Sequence, residues 1–421
     1  MSVNEPQVTL TLRLAPDVTR TWFGLAGITG QTQITDGPLV DALEHGASLE
    51  HLLDVGTPRA GRDVFGVLDE LHRRQLLAWQ VSAADDTIWA TLTPIRSGVP
   101  LPLPDGSGGD LRLSRCALLR RSGDAWLLES GRSPLAATLS PRAAAAVAAE
   151  EGPSQLIALM QLGRLLADSD DDGHSRYWEF HDRYFASRSR LDSNGKGGSF
   201  RFAGLHHPES ADVQPPVIGP VISLPVPDLE EAGPALWEVT EQRRSHFATS
   251  EEPIDLQDLG ALLWHTLRVT DSMPRDPSST TSYDALRKFV PSGGGTHSIG
   301  LWLDCRRVTG LEPGTWWYDA VDHALVRTGD LPQDSLPATY PVFGLLISRH
   351  ARLAWKYESI AYALALKDAG VILHALQLGA TALGLAMCPV GSGPTATILD
   401  PLGLDEDSYA PVGEFGLAQR K

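Results

Sequence analysis

LAWKYESIAYALALKDAGVILHALQLG, residues 353–379, is the stretch on which the reading of the C-terminal half turns. Ile360, Leu364, Val371 and Leu378 recur at helical spacing and predict a long helix with one apolar face. Lys356 and Tyr357 stand side by side at its entrance. An ammonium beside a phenol favours the phenolate, and a lysine withdrawn from water loses proton affinity. Either way such a pair is equipped to take a proton from a weakly acidic carbon. The plainer account is two amphipathic side chains reaching for water at a helix end.

Working outward, the helix runs into Gly-Leu-x-x-Cys-Pro-Val-Gly at 384–391, which includes Pro389, Val390 and Gly391. Upstream lies PSGGGTHSIG at 291–300, opening with Pro291, Ser292 and Gly293. It is neither a dinucleotide fingerprint nor a phosphate-binding Walker loop. Glycines there let backbone approach a flat or anionic group closely. Arg243, Arg244 and Ser245 form a row of donors suited to a phosphate monoester. IGLWLDCRR (299–307) and VFGLLIS (342–348) look like strands among these helical runs. Residues 237–421 therefore predict one domain of α+β or α/β type, with α+β as the expectation.

The N-terminal half has a different texture. VTLTLRLA at 8–15 alternates like a strand, helical patterns follow through FGVLDELHRRQLLAW at 65–79, and TIWATLTP at 87–94 is again extended. Helices followed by a small β element suit a winged-helix-like module over 1–100. GSGGD at 106–110 is a break. A second module is expected over 110–185, closing on SQLIALMQLGRLLA at 154–167. Leu68, Leu71, Leu76 and Leu77 echo Leu159, Leu162, Leu165 and Leu166, a weak repeat. Residues 186–236 read as an extended linker, with seven prolines between 207 and 234.

Composition narrows the function classes. The chain has 421 residues, of which 42% are hydrophobic and 21% charged, as in an ordinary globular protein. A formal net charge of −17 argues against general nucleic-acid binding. The three cysteines are far apart and suggest neither zinc nor a disulfide framework. The polar start and the Lys367–Asp368 interruption of the apolar helix predict a cytoplasmic protein without a membrane span. DSDDDGHSRYWE at 168–179 fits a calcium-loop spacing, with Asp168, Asp170, Asp172 and Glu179 as ligands. Ser175 and Arg176 sit badly in such a loop, so a solvated acidic turn is the expectation and no metal is assigned.

Taken in order, Arg-Arg-Ser, Pro-Ser-Gly-Gly-Gly, Trp-Lys-Tyr and Cys-Pro-Val-Gly make residues 238–421 resemble the nitroreductase-like flavoproteins. They look like the SagB-type dehydrogenases that form thiazoles and oxazoles in ribosomal peptides. WEFHDRYFASRSRLDSNGKGGSFRF at 178–202 is similar to the connecting segment of that subfamily, and the N-terminal modules look like its peptide-clamp domains. The resemblance implies FMN at a homodimer interface. Arg243, Arg244 and Ser245 would hold its phosphate and ribityl chain, with Arg420 assisting. Pro291, Ser292 and Gly293 would lie near the flavin, and Pro389, Val390 and Gly391 would face its ring. Lys356 and Tyr357 would be the catalytic pair, acting on azoline rings of a precursor peptide whose leader rests on the N-terminal modules. A cyclodehydratase would supply the azolines.

The chain departs from the subfamily pattern at Phe247, where a basic residue is usual, at His374, where a Gln is usual, and at Ala186, where a His is common. Phe247 speaks for an alternative class, a peptide-binding scaffold without redox chemistry; the intact Lys-Tyr pair speaks against it. A small-molecule nitroreductase is the third reading, and the N-terminal half argues against that.

Overall fold

The structure is a computed structural model. It describes residues 8–21, 24–27, 30–32, 36–56, 63–104, 112–167, 174–190, 200–208, 210–211, 214–230, 233–247, 250–332, 336–337, 339–391, 393 and 396–420. The acidic positions 168–173 lie outside these residues, so the calcium-loop spacing is not described beyond the single turn His174–Tyr177. The chain divides into two compact units, 1–195 and 196–421.

The first unit holds one six-stranded antiparallel sheet. Its order is Val8–Leu14, Leu77–Ala83, Ile88–Pro94, Leu135–Leu139, Ala125–Ser130 and Ala117–Ser122. Three strands come from 1–100 and three from 110–185. The helices Gly37–His45, Leu49–Val55 and Val64–Arg73 fall between the first and second of these strands in sequence. Each starts on a side chain that accepts a backbone N–H, from Asp36, Ser48 and Asp63, which satisfies one orphan donor of the first turn. Leu12, Trp79, Leu92, Leu128 and Leu159 share one core. One sheet and one core thus take in both stretches. Helix Phe180–Arg188 of the connecting segment is tied to this unit through Glu129. That buried carboxylate accepts from Tyr184 Oη at 3.0 Å and faces Arg188 and Arg120.

The second unit is built on a seven-stranded antiparallel sheet. The order is Val221–Ser223, Ala324–Gly329, Gly314–Asp319, Ile299–Cys305, Val342–Arg349, Tyr409–Gln419 and Leu385–Val390. The strand Val221–Ser223 comes from the proline-rich stretch, which also has main-chain carbonyls at Ser210 and Ala211 held by Arg349 at 2.8 and 2.9 Å. The helix Ala361–Ala382 packs on this sheet beside helix Leu256–Leu267.

Two details of that helix differ from expectation. It starts at Ala361, and Lys356 instead closes a separate short helix, His350–Lys356. Its buried face is Ala365, Ala369, Ile372, Leu376 and Ala380, whereas Val371 is exposed. Small alanines let the helix lie close on the sheet, and periodicity read from the large residues picked the neighbouring face. The helix is long and apolar enough to cross a membrane by length and composition alone, but 44% of its apolar window is buried inside the protein.

Candidate functional site

Lys356 and Tyr357 sit at the joint between the two helices. Tyr357 is the C-cap, with extended backbone that turns its ring inward to 9% exposure. The Lys356 ammonium lies among aromatic faces, 4.7 Å from the Tyr283 ring centre, 5.3 Å from Tyr357 and 5.9 Å from Phe200. Such faces attract a cation. Phe200 is fixed in turn by its amide, which donates to Lys356 O at 3.2 Å, and by an edge contact with buried Trp355.

Tyr283 sets the direction of the ammonium. Its hydroxyl gives its one proton to Gly294 O at 2.6 Å, so its lone pair accepts from Lys356 Nζ. Gly294 has φ +63°. A Cβ there would stand 2.5 Å from Lys356 Nζ and 2.6 Å from Tyr357 Oη. The two polar atoms therefore converge on one point, and only a glycine leaves it open.

The loop carrying Pro291, Ser292 and Gly293 is held from the long helix. Asp368 accepts from Ser292 Oγ at 2.7 Å and from Gly293 N at 3.0 Å. Ser292 Oγ also accepts from His297 N at 3.0 Å. Burial raises the Asp368 carboxyl above the usual range, against the bonds from Ser292 and Gly293. Asp284, next to Tyr283, would be raised by burial, yet the Ala211 amide, Arg352 and Ser210 hold it below the usual range. Arg352, 1% exposed, donates to Asp284 O at 2.6 Å and to Thr296 O at 2.7 Å, clamping both ends of the loop.

Behind this loop is a cavity of about 60 Å³ lined by Lys288, His297, Arg349 and Asp368. Burial lowers Lys288 to about 8, with Arg349 adding to the effect. Burial, then Lys288 and Arg352, lower His297 to about 4. A histidine depressed in the fold stabilises it above the unfolded pKa of ~6.5. That stability is lost as pH falls from there through about 4. His297→Asn, which suits the left-handed backbone at φ 43°, is expected to remove this part of the acid sensitivity. Melting temperatures across pH 4–7 check it.

The remaining site residues gather at the edge strand Leu385–Val390. His246 N donates to Met387 O at 3.2 Å, which lays Arg243, Arg244 and Ser245 along that strand. Arg244 Nη1 donates to Glu241 O and Arg243 O, while the residue itself is exposed. Ser245 Oγ accepts from Gln377 Nε2 at 3.1 Å. Arg420 is exposed just past Gln419, which pairs with Leu385 at the start of the same strand. Pro389 and Val390 end the strand beside Phe415 and Glu414, and Gly391 follows, exposed. Arginines and a hydroxyl beside open backbone are a donor set that fits a phosphate and a planar ring.

The expected residues thus fall into two groups within the chain. One is Pro291, Ser292 and Gly293 with Lys356 and Tyr357; the other is Arg243, Arg244, Ser245, Pro389, Val390, Gly391 and Arg420. The long helix carries one anchor for each, Asp368 and Gln377. Both anchors, together with Tyr283, escaped sequence reading; Gly294 lies in the glycine run that it singled out, but without its part at the Lys356–Tyr357 pair. Asp368 interrupts the apolar run in the sequence, and such a charge amid apolar residues signals a buried partner. Gln377 lies one turn beyond His374 and supplies an amide to Ser245. Phe247 is 79% exposed.

Residues 240–417 match the nitroreductase family. The C-terminal unit is therefore a nitroreductase-fold domain of mixed helices and sheet, and proteins of this family bind flavin. The Methanocaldococcus jannaschii protein MJ1384, described as a nitroreductase, is 25% identical over 185 residues, which are 42% of this chain and 86% of that protein. A solved structure from Ralstonia eutropha, also described as a nitroreductase, has 21% identity and a TM-score of 0.39. It covers 50% of this chain and 95% of its own. The Escherichia coli microcin synthetase McbBCD complex, solved with truncated pro-MccB17 bound, has 15% identity and a TM-score of 0.36, covering 56% of this chain and 86% of that one. The site residues named above lie in the C-terminal unit, all but Arg420, Phe200, Ser210 and Ala211 within the matched stretch; the N-terminal unit lies outside the family match.

Proposed function

We propose that this protein is an FMN-dependent azoline dehydrogenase that converts thiazoline or oxazoline rings of a ribosomally made precursor peptide to thiazoles or oxazoles. The observation that carries the reading is the convergence of Lys356 Nζ and Tyr357 Oη on Gly294, within the Pro-Ser-Gly loop. A nitroreductase acting on small molecules has no evident need of a positioned base pair on that loop.

Bound FMN would supply the acceptor for a hydride from the ring. The chain's own groups do the rest. The Lys356–Tyr357 pair takes the proton from the former α-carbon, so the ring loses one proton and one hydride and becomes aromatic. Tyr283 accepts from the ammonium and keeps it turned toward Gly294. Asp368 fixes the loop, and the aromatic faces of Phe200, Tyr283 and Tyr357 surround the ammonium. Arg243, Arg244, Ser245 and Arg420 would hold the phosphate side, and Pro389, Val390 and Gly391 the ring.

The two residue groups are anchored to one helix at different positions, Asp368 and Gln377, and a homodimer would let each copy complete the other's site. The N-terminal unit would bind the leader of the peptide and raise the local concentration of its rings. A cyclodehydratase partner would deliver the azolines.

The deciving experiment is the absorbance spectrum of the purified protein with mass identification of the released cofactor, followed by oxidation of an azoline peptide. FMN near one per chain and azole formation are expected. A colourless protein that cannot be reconstituted overturns the reading and favours the peptide scaffold. Arg243→Ala with Arg244→Ala is expected to weaken FMN binding by about 100-fold, since charge-assisted bonds to phosphate are the strong ones. Flavin fluorescence titration of the variant measures it.

A further inference from the structure

Five carboxylates are buried among the described residues: Glu129, Asp304, Asp319, Asp368 and Glu414. Four of them have donors. Tyr184 Oη reaches Glu129 at 3.0 Å, Arg306 Nε reaches Asp304 at 2.7 Å, Gln214 Nε2 reaches Asp319 at 3.0 Å and Ser292 Oγ reaches Asp368 at 2.7 Å. Glu414 is the exception. It is 8% exposed, and among the described residues nothing donates to it and no cation pairs with it. Burial raises its carboxyl above the usual range, with no bond to oppose the effect. A carboxyl withdrawn from water without a donor costs the fold stability, and native folds rarely keep such a group idle.

Its place in the fold indicates the missing donor. Glu414 pairs with Val390, at the end of Leu385–Val390 that runs into Gly391. A Cβ on Gly393 would collide with the Glu414 carboxyl, so the carboxyl lies directly against this turn and glycine leaves room for it. The cations lie further back on the same strand, where His246 N bonds Met387 O and brings Arg243, Arg244 and Ser245 alongside. Met387 and Val390 are three residues apart, about 10 Å at ~3.3 Å per residue. One edge strand thus offers donors for a phosphate at its middle and an unanswered acceptor at its end. A phosphate ester of a planar heterocycle bearing an N–H meets both.

Resting on the function proposed above, we infer that Glu414 accepts a hydrogen bond from a ring N–H of bound FMN and holds a negative charge beside the ring. The oxidised isoalloxazine already carries an N–H, at N3, so the acceptor is answered before any electron arrives. Reduction adds electron density to the ring, which a neighbouring carboxylate opposes. Glu414 therefore tightens oxidised FMN and lowers its tendency to be reduced.

The test uses the full-length protein with FMN alone. Glu414→Leu removes the acceptor and the uncompensated buried carboxyl together. Without flavin, this variant is expected to melt above the native protein, yet to bind FMN about tenfold more weakly by fluorescence titration. Glu414→Gln keeps an acceptor and loses the charge. It is expected to recover most of the affinity and to hold FMN at a potential about 30 mV higher, the equivalent of a tenfold gain for the reduced over the oxidised form. A purely structural role would lower the melting temperature of both variants. That result, or native affinity and potential in both, overturns the inference. A native protein that takes up no FMN overturns it together with the dehydrogenase reading. FMN binding that responds as expected without azoline oxidation keeps the role of Glu414 and sinks the dehydrogenase reading alone; azoline oxidation by a native protein whose two variants bind FMN unchanged does the reverse.

Discussion

Lys356→Ala is expected to retain FMN and lose azoline oxidation by about 10²–10⁴-fold in kcat, the span that a positioned acid–base group contributes. The ammonium is held by Tyr283 and the faces of Tyr283, Tyr357 and Phe200 and, among the described residues, makes no hydrogen bond to Arg243, Arg244, Ser245 or Arg420, so its removal leaves that group intact. Tyr357→Phe removes the second polar atom at the same point while keeping the buried ring. Because the two groups act at one place, the double variant is expected to fall little below the worse single one. Single-turnover oxidation of an azoline peptide, followed by the loss of two mass units, measures this. Full activity in both single variants would remove the assigned role.

Gly294→Ala is expected to produce nearly as large a loss while leaving the identity of both side chains unchanged. Its Cβ would stand 2.5 Å from Lys356 Nζ and 2.6 Å from Tyr357 Oη, closer than unbonded atoms tolerate. The far ends of those side chains would swing away. A displacement of about 1 Å in a catalytic group is enough for a loss on the order of 100-fold. Alanine at φ +63° adds a backbone cost of about 1 kcal/mol, which a protein of this size survives. Thermal unfolding should therefore shift by a few degrees while oxidation collapses. Retained activity would mean that the pair does not work at this point.

What the sequence offers of the candidate site sits in short local runs. Arg243-Arg244-Ser245, Pro291-Ser292-Gly293 and Pro389-Val390-Gly391 are each contiguous, and strands such as Ile299–Cys305 and Val342–Arg349 announce themselves by apolar β-formers. What escaped is what depends on chain partners far away. Tyr283 meets Lys356 across 73 positions, and Gln377 meets Ser245 across 132. The buried helix face escaped for another reason. Hydrophobic spacing weighs large side chains, whereas the close helix–sheet contact here is made by Ala365, Ala369 and Ala380. The sharing of one sheet by residues 1–100 and 110–185 is a pairing across that break, between Ile88–Pro94 and Leu135–Leu139, which no local pattern records.

The long helix also acts as a ruler. Asp368 and Gln377 are nine residues apart, about 13.5 Å along a rod with 1.5 Å per residue. One residue inserted or deleted between them would rotate one anchor by about 100° relative to the other. Either the loop or Ser245 would then lose its tether, whatever the inserted residue was. Lengthening a surface turn carries no such penalty. In a lineage of such chains, length should drift in the turns and stay frozen across these nine positions, and any graft of this site onto another scaffold has to carry the interval whole.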